Sequence, residues 1–205
     1  MDLRAALSYC PVVAILRGVK PDEIEGIGDA LIEAGVTVVE VPLNSPQAFE
    51  SIRRLATHHG HHALVGAGTV LEISDVARVK EAGGQLVVAP NFDADVVRAA
   101  KAAGLAALPG VMTPSEGFAA LKAGADGLKL FPAEIIPPAV FKAWRAVFPA
   151  DCLLLAVGGV GVDNIRVYAD AGASGYGIGS ALYKPGRPAV EIGRLARALV
   201  IAAKA

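Results

Sequence analysis

Short apolar runs alternate with longer amphipathic stretches along the whole chain, and this rhythm limits the fold more than any other feature. The runs are VVAILR (12–17), VVEVPL (38–43), ALVGAG (63–68), LVVAP (86–90), AALPG (106–110), GLKLF (127–131), LLLAVGG (153–159) and GYGIGS (175–180). Between them lie helical patterns such as DEIEGIGDALIEAG, DADVVRAAKAAG and PSEGFAALKAGA. Several of these end in Ala-Gly and several open with Pro, Ser or Asp, residues that favour the two ends of a helix. Strand–helix units repeated without a linker call for a parallel sheet covered by helices, and eight of them close a barrel. The expected fold is α/β, a single compact TIM (β/α)8 barrel over residues 1–205. An open doubly wound sheet is the competing arrangement, but no G-x-G-x-x-G follows the first run, as a dinucleotide fold would prefer.

Composition narrows the partners. With 54% apolar and 19% charged residues, the 205-residue chain can bury a full core. A net charge of −1 without a Lys/Arg cluster gives no footprint for nucleic acid or an anionic membrane surface. No apolar run reaches the ~18 residues of a membrane span, and the first ten residues lack the basic-then-apolar pattern of a signal peptide. A cytoplasmic protein is expected, with small molecules or other protein chains as partners. Cys10 and Cys152 each adjoin a predicted strand and are expected to be buried thiols.

Two charged residues stand inside apolar strands. Side chains alternate faces along a strand. Leu128 and Leu130 of GLKLF therefore share the outer face under the helices, and Lys129 points into the barrel toward its C-terminal mouth, where barrel enzymes keep their chemistry. In VVEVPL, Val39 and Val41 fit the outer face and Glu40 points inward. A buried ion pair would account for both residues, yet such pairs are weak devices for stability. Perturbed groups converging on a cleft point instead to catalysis. A neutral lysine amine attacks a ketone and forms a Schiff base. Bringing lysine from about 10.4 to about 7–8 needs the kind of desolvation an apolar barrel interior supplies. Glu40 is the candidate for moving protons.

Two glycine turns follow the last two strand runs, AVGGVGVDN (156–164) and GIGSALYKPG (177–186). Barrels commonly bind phosphate there through backbone N–H groups, which makes Gly158, Gly159, Gly179 and Ser180 candidate phosphate ligands. Arg17, at the end of the first run, faces the mouth as a two-pronged contact for a carboxylate or phosphate, or else is a solvated surface residue. Thr69, after GAG (66–68), either meets substrate or caps the following helix. HHGHH (58–62) holds every histidine in the chain. It lies between a helix and the next strand, at the N-terminal face, with no acidic or thiol partner in the run, and is expected to be a solvated loop. No metal ligand set is expected at the mouth.

VVEVPLNSP, GAGTVL, LPGVMTPSE, GLKLFPAE, AVGGV and GIGSALY, in this order, resemble the 2-keto-3-deoxy-6-phosphogluconate/phosphogalactonate aldolases over roughly residues 10 to 200. The resemblance implies a class I, metal-free barrel that needs no cofactor, cleaves 2-keto-3-deoxy-6-phosphosugar acids to pyruvate and glyceraldehyde 3-phosphate, and forms homotrimers. It implies Lys129 as the Schiff-base lysine, Glu40 as the acid/base, Thr69 and Pro90 at the pyruvate end, and Phe131 as a wall residue. It also implies Gly158, Gly159, Gly179 and Ser180 as the phosphate turns and Arg17 as a contact to the substrate acid. Leu43-Asn44-Ser45, Val157-Gly158-Gly159, Ile15-Leu16-Arg17-Gly18 and Pro90-Asn91 look like the phosphogalactonate branch. Pro132-Ala133-Glu134 has the spelling common in the phosphogluconate branch. Two other readings are a phosphosugar epimerase or isomerase, which gives no reason for an inward lysine, and a non-catalytic phosphosugar sensor, which needs no poised nucleophile.

Overall fold

The computed structural model describes residues 2–205; Met1, part of the expected 1–205 unit, lies outside the described residues. The strands are β1 (Val12–Ile15), β2 (Val38–Pro42), β3 (Leu64–Gly68), β4 (Leu86–Val88), β5 (Ala106–Leu108), β6 (Gly110–Val111), β7 (Leu128–Leu130), β8 (Leu154–Val157) and β9 (Gly175–Ile178). All recorded pairings are parallel, in the order β5-β4-β3-β2-β1-β9-β8-β7-β6. β5 and β6 are two halves of the expected AALPG strand. They part at Pro109, which has no N–H to give to a ladder, and the chain running through Pro109 joins the two ends of the sheet. The wall therefore has the eight expected staves.

The helices are α1 (Leu3–Tyr9), α2 (Ile24–Glu33), α3 (Ala48–His59), α4 (Ile73–Glu81), α5 (Ala94–Ala102), α6 (Pro114–Ala123), α7 (Pro138–Arg145), α8 (Ile165–Asp170) and α9 (Ala189–Lys204). Their ends follow from local chemistry. Thr113 and Glu116 form a capping box around Pro114 at the start of α6, and Asp93 accepts from the N–H groups of Asp95 and Val96 at the start of α5. Gly124 ends α6 at φ 103°, a left-handed position that glycine adopts without a Cβ clash.

The core has two layers. Outward residues of the wall, among them Val39, Val41, Leu128 and Leu130, pack under the helices. Inward residues, among them Val13, Val38, Leu64, Leu155 and Val157, fill the barrel. Strand alternation therefore assigned both faces as expected. The sequence reading missed α1. Its Leu3, Ala6 and Leu7 join the inner layer, and the Thr37 hydroxyl donates to the Ala6 carbonyl at 3.0 Å. This helix closes the N-terminal end of the barrel. Cys10 and Cys152 are buried free thiols, as expected.

Candidate active site

β7 presents Lys129 and β2 presents Glu40 to the barrel interior. Lys129 is 6% exposed and Glu40 2% exposed, and among the described residues they are the only buried lysine and the only buried carboxylate. They share a chamber of about 10 Å³ walled by Val13, Ile15, Val88, Leu108, Leu155 and Val157. No ion pair joins them among the described residues, and Glu40 Oε2 has no hydrogen-bond partner. Burial pushes the Glu40 carboxyl up from 4.5 to about 7, against the opposing pull of Lys129 and then Arg17. Burial also depresses the Lys129 ammonium, with Glu40 opposing and Arg17 assisting. Glu40 is thus held near the point where it gains or loses a proton at neutral pH, and the Lys129 ammonium gives up its proton more readily than an exposed one. The Lys129 Nζ lies 4.7 Å from the centre of the Phe131 ring.

Space for the Glu40 carboxylate comes from β3. A Cβ on Gly68 would stand 1.6 Å from Glu40 Oε2 and 2.6 Å from Oε1. Gly68 is a site residue that sequence reasoning missed, since a glycine facing a carboxylate on the next strand shows only once register is known. In that register Glu40 pairs with Gly66, and Gly68 with Pro42.

Above the chamber a cavity of about 490 Å³ opens at the C-terminal ends of the strands. Lys129, Phe131, Arg17, Gly158, Gly159, Gly179 and Ser180 all line it. Among the described residues, no protein acceptor takes the N–H groups of Gly158, Gly159, Val160, Gly179, Ser180 and Ala181. Asn164 holds the first turn, donating to the Gly159 carbonyl at 2.8 Å and accepting from the Gly161 N–H at 2.9 Å. A cluster of unpaired N–H groups on one wall suits an anion. Lys184 and Glu134 also line the cavity, and neither was singled out from sequence. Lys184 belongs to the same glycine-rich run, GIGSALYKPG, that marks the second turn; Glu134 arrives by the 3-10 turn Ala133–Ile135.

At the opposite lip, Arg17 Nη1 donates to Asn44 Oδ1 at 2.5 Å and Nη2 to Thr69 Oγ1 at 3.4 Å. The Gly18 N–H donates to Ser45 Oγ at 2.9 Å. Asn44 and Ser45 therefore hold the loop that carries Arg17. Thr69 does not cap α4, whose N-cap is Glu72. It sits at φ 56°, left-handed backbone that a β-branched residue rarely adopts and that costs of order 1–3 kcal/mol where surroundings enforce it. Thr69 and Pro90 do not line the main cavity; Pro90 stands at the rim, its carbonyl against Gly110.

One expectation is corrected. HHGHH is not wholly a solvated loop: α3 continues through His59, and His59 is buried. Its acidic partner, Asp29, comes from α2 rather than from the run itself.

A closed parallel barrel with a lysine and a protonatable carboxylate in one apolar chamber, under a rim of free N–H groups, defines an enzyme for a small anionic carbonyl compound. The chain belongs to the KDPG and KHG aldolase family, whose model matches residues 3–191, and it is accordingly an aldolase, a lyase. It is 47% identical over 192 residues to the probable 2-dehydro-3-deoxy-6-phosphogalactonate aldolase of Rhizobium meliloti (strain 1021), covering 94% of this chain and 91% of the relative. It is 44% identical over 190 residues to the 2-dehydro-3-deoxy-6-phosphogalactonate aldolase of Escherichia coli (strain K12), covering 93% of each. The solved structure described as native KDPGal superposes with a TM-score of 0.93 at 43% identity, over 95% of this chain and 94% of the other.

Proposed function

We propose that the chain is a Schiff-base aldolase that reversibly cleaves 2-dehydro-3-deoxy-6-phospho-D-galactonate to pyruvate and D-glyceraldehyde 3-phosphate. The observation that carries this reading is the pairing of Lys129, its ammonium depressed by burial, with Glu40 near 7 in one apolar chamber. The neutral Lys129 amine adds to the C2 ketone, and loss of water from the carbinolamine leaves a protonated imine. Glu40 as carboxylate removes the proton of the C4 hydroxyl, the C3–C4 bond breaks into the imine, and glyceraldehyde 3-phosphate leaves. Protonated Glu40 then returns its proton to C3 of the enamine, and water releases pyruvate from Lys129. The chamber has the size of about one water molecule, enough for a relay between Glu40 and the carbinolamine.

The turns at Gly158–Gly159 and Gly179–Ser180 take the phosphate through their free N–H groups, with the Ser180 hydroxyl and Lys184 beside them. Arg17 takes the substrate carboxylate, positioned by Asn44 and Thr69. Phe131 walls the reacting centre, and Thr69 and Pro90 border the pyruvate end. The galacto configuration at C4 is supported by the relatives' names and by Leu43-Asn44-Ser45 and Val157-Gly158-Gly159. A site built around one hydroxyl orientation rejects the other strongly. The reading extends to a cytoplasmic homotrimer. No described helix is long and apolar enough to cross a membrane, and exposed Leu71, Ile73, Met112 and Phe118 offer apolar surface for subunit contact.

The decisive experiment is a pyruvate-detecting cleavage assay on the two C4 epimers, run beside borohydride trapping with pyruvate. Preferential cleavage of the galacto epimer and a reduced adduct on Lys129 are expected. Preference for the gluco epimer overturns the substrate; absence of the adduct overturns the mechanism. Binding without cleavage would favour a sensor.

A further inference from the structure

HHGHH is the motif that the aldol site leaves unused. Its first two histidines end α3 and face Asp29 on α2. His58 Nε2 and His59 Nε2 lie 3.5 and 3.2 Å from the same carboxylate oxygen, Asp29 Oδ1. One ligand atom from each of the three residues lies within 4.8 Å of the other two. Yet His59 is only 6% exposed, and its Nε2 makes no hydrogen bond among the described residues. The fold reserves room for that ring: a Cβ on Gly28 would stand 2.7 Å from His59 Cδ2 and 2.9 Å from Nε2.

His59 Nε2 and Asp29 Oδ1 confront each other at 3.2 Å with no hydrogen bond between them among the described residues, an arrangement that a cation between them would satisfy. Tetrahedral zinc with bonds of 2.0–2.1 Å separates its ligand atoms by about 3.3–3.4 Å, between the two histidine–Asp29 distances; the two histidine ligand atoms, within 4.8 Å of each other, would close to it by rotation of the half-exposed His58.

We propose that Asp29, His58 and His59 bind one divalent transition-metal ion of the zinc type, tying α2 to α3 at the N-terminal face of the barrel. Two imidazoles and one carboxylate suit zinc-class ions rather than magnesium or calcium. The half-exposed side chains of His58 and Asp29 leave the ion's remaining position open to solvent. The role is structural, because the site lies at the opposite end of the barrel from Lys129. His61 and His62 line a separate groove with Tyr9 and Thr37 and are not ligands.

Chelator-treated full-length protein is titrated with zinc chloride by calorimetry and with cobalt chloride by visible absorption. One equivalent should bind, with the intense bands of four-coordinate cobalt. His58→Ala and Asp29→Asn should each weaken binding at least about tenfold, while the double variant H61A/H62A should bind as wild type does. Zinc should raise the melting temperature of the wild type and of H61A/H62A, but not of Asp29→Asn. Cleavage of the sugar acid should be unchanged in all of them. No binding by the wild type overturns the proposal. So does binding retained in both His58→Ala and Asp29→Asn, or lost in H61A/H62A, which would mark a loose histidine tract. His59→Ala is not relied upon, because His59 also packs against α2.

Discussion

At the N-terminal end of the barrel, Leu64 and Leu153 meet Leu3 and Leu7 of α1, and apolar side chains fill the interior. At the C-terminal end the same wall turns glycines inward at Gly68 and Gly177 and leaves Glu40 and Lys129 without an ion-pair partner among the described residues. One end is packed as a core should be. The other end withholds side-chain volume and polar satisfaction, which under the proposed mechanism lets a ketone reach the Lys129 amine. Stability is concentrated where chemistry is absent, and the barrel holds its perturbed groups because the plugged end is well packed.

Substitutions at the two ends should therefore separate activity from stability. The largest effect is expected from Lys129→Met, which removes the proposed nucleophile: turnover and borohydride trapping should vanish. The melting temperature at pH 7 should hold or rise, because a desolvated amine gives way to apolar volume. A clear drop in melting temperature would mean that Lys129 is a structural partner after all.

Glu40→Gln should lower kcat by about 10²–10⁴ while still permitting a pyruvate adduct on Lys129. It also carries a pH signature. Glu40 titrates near 7 in the folded chain against an ordinary 4.5, so between those values the folded state binds more protons and stability falls as pH rises. The melting temperature of Glu40→Gln relative to wild type should climb from pH 4.5 to pH 7 and flatten beyond. A flat difference across that window would show that the carboxylate is not desolvated.

At the plugged end, Leu7→Ala should cost about 2–5 kcal/mol in denaturant unfolding and leave kcat/KM unchanged. A matching loss of activity would break the contrast between the ends. Gly68→Ala drives a methyl group into the Glu40 carboxylate and should cost about 1–3 kcal/mol together with kcat. Asn44→Ala is the mildest: losing the hydrogen bond that positions Arg17 should raise KM by up to about tenfold with little change in kcat, as initial rates would show.

Several of these residues were legible before any coordinates. Period-2 alternation turned Lys129 and Glu40 inward, because a strand allows only two faces. The repeated glycine runs located the cavity wall that now presents unpaired N–H groups. Other features had no local signal. α1 is a seven-residue helix, too short to be stable alone, and it exists because the open end of the barrel needs an apolar cover. The stave through residues 106–111 was expected as one strand, and Pro109 divides it.

HHGHH shows the limit most plainly. Its composition was visible, but whether it meets water or Asp29 depends on how α2 and α3 pack, since the partner lies 29 residues before His58 in the chain. The amino-acid sequence by itself determined the alternating elements, the barrel they close and the two charges aimed into it, because those follow from short-range periodicity. Only the tertiary structure decided that Gly68 opens room for Glu40, that Asn44 and Thr69 hold Arg17, and that Asp29 faces two histidines. Those contacts join different strands and helices, and cross-element distances are set by register and packing, which no local pattern encodes.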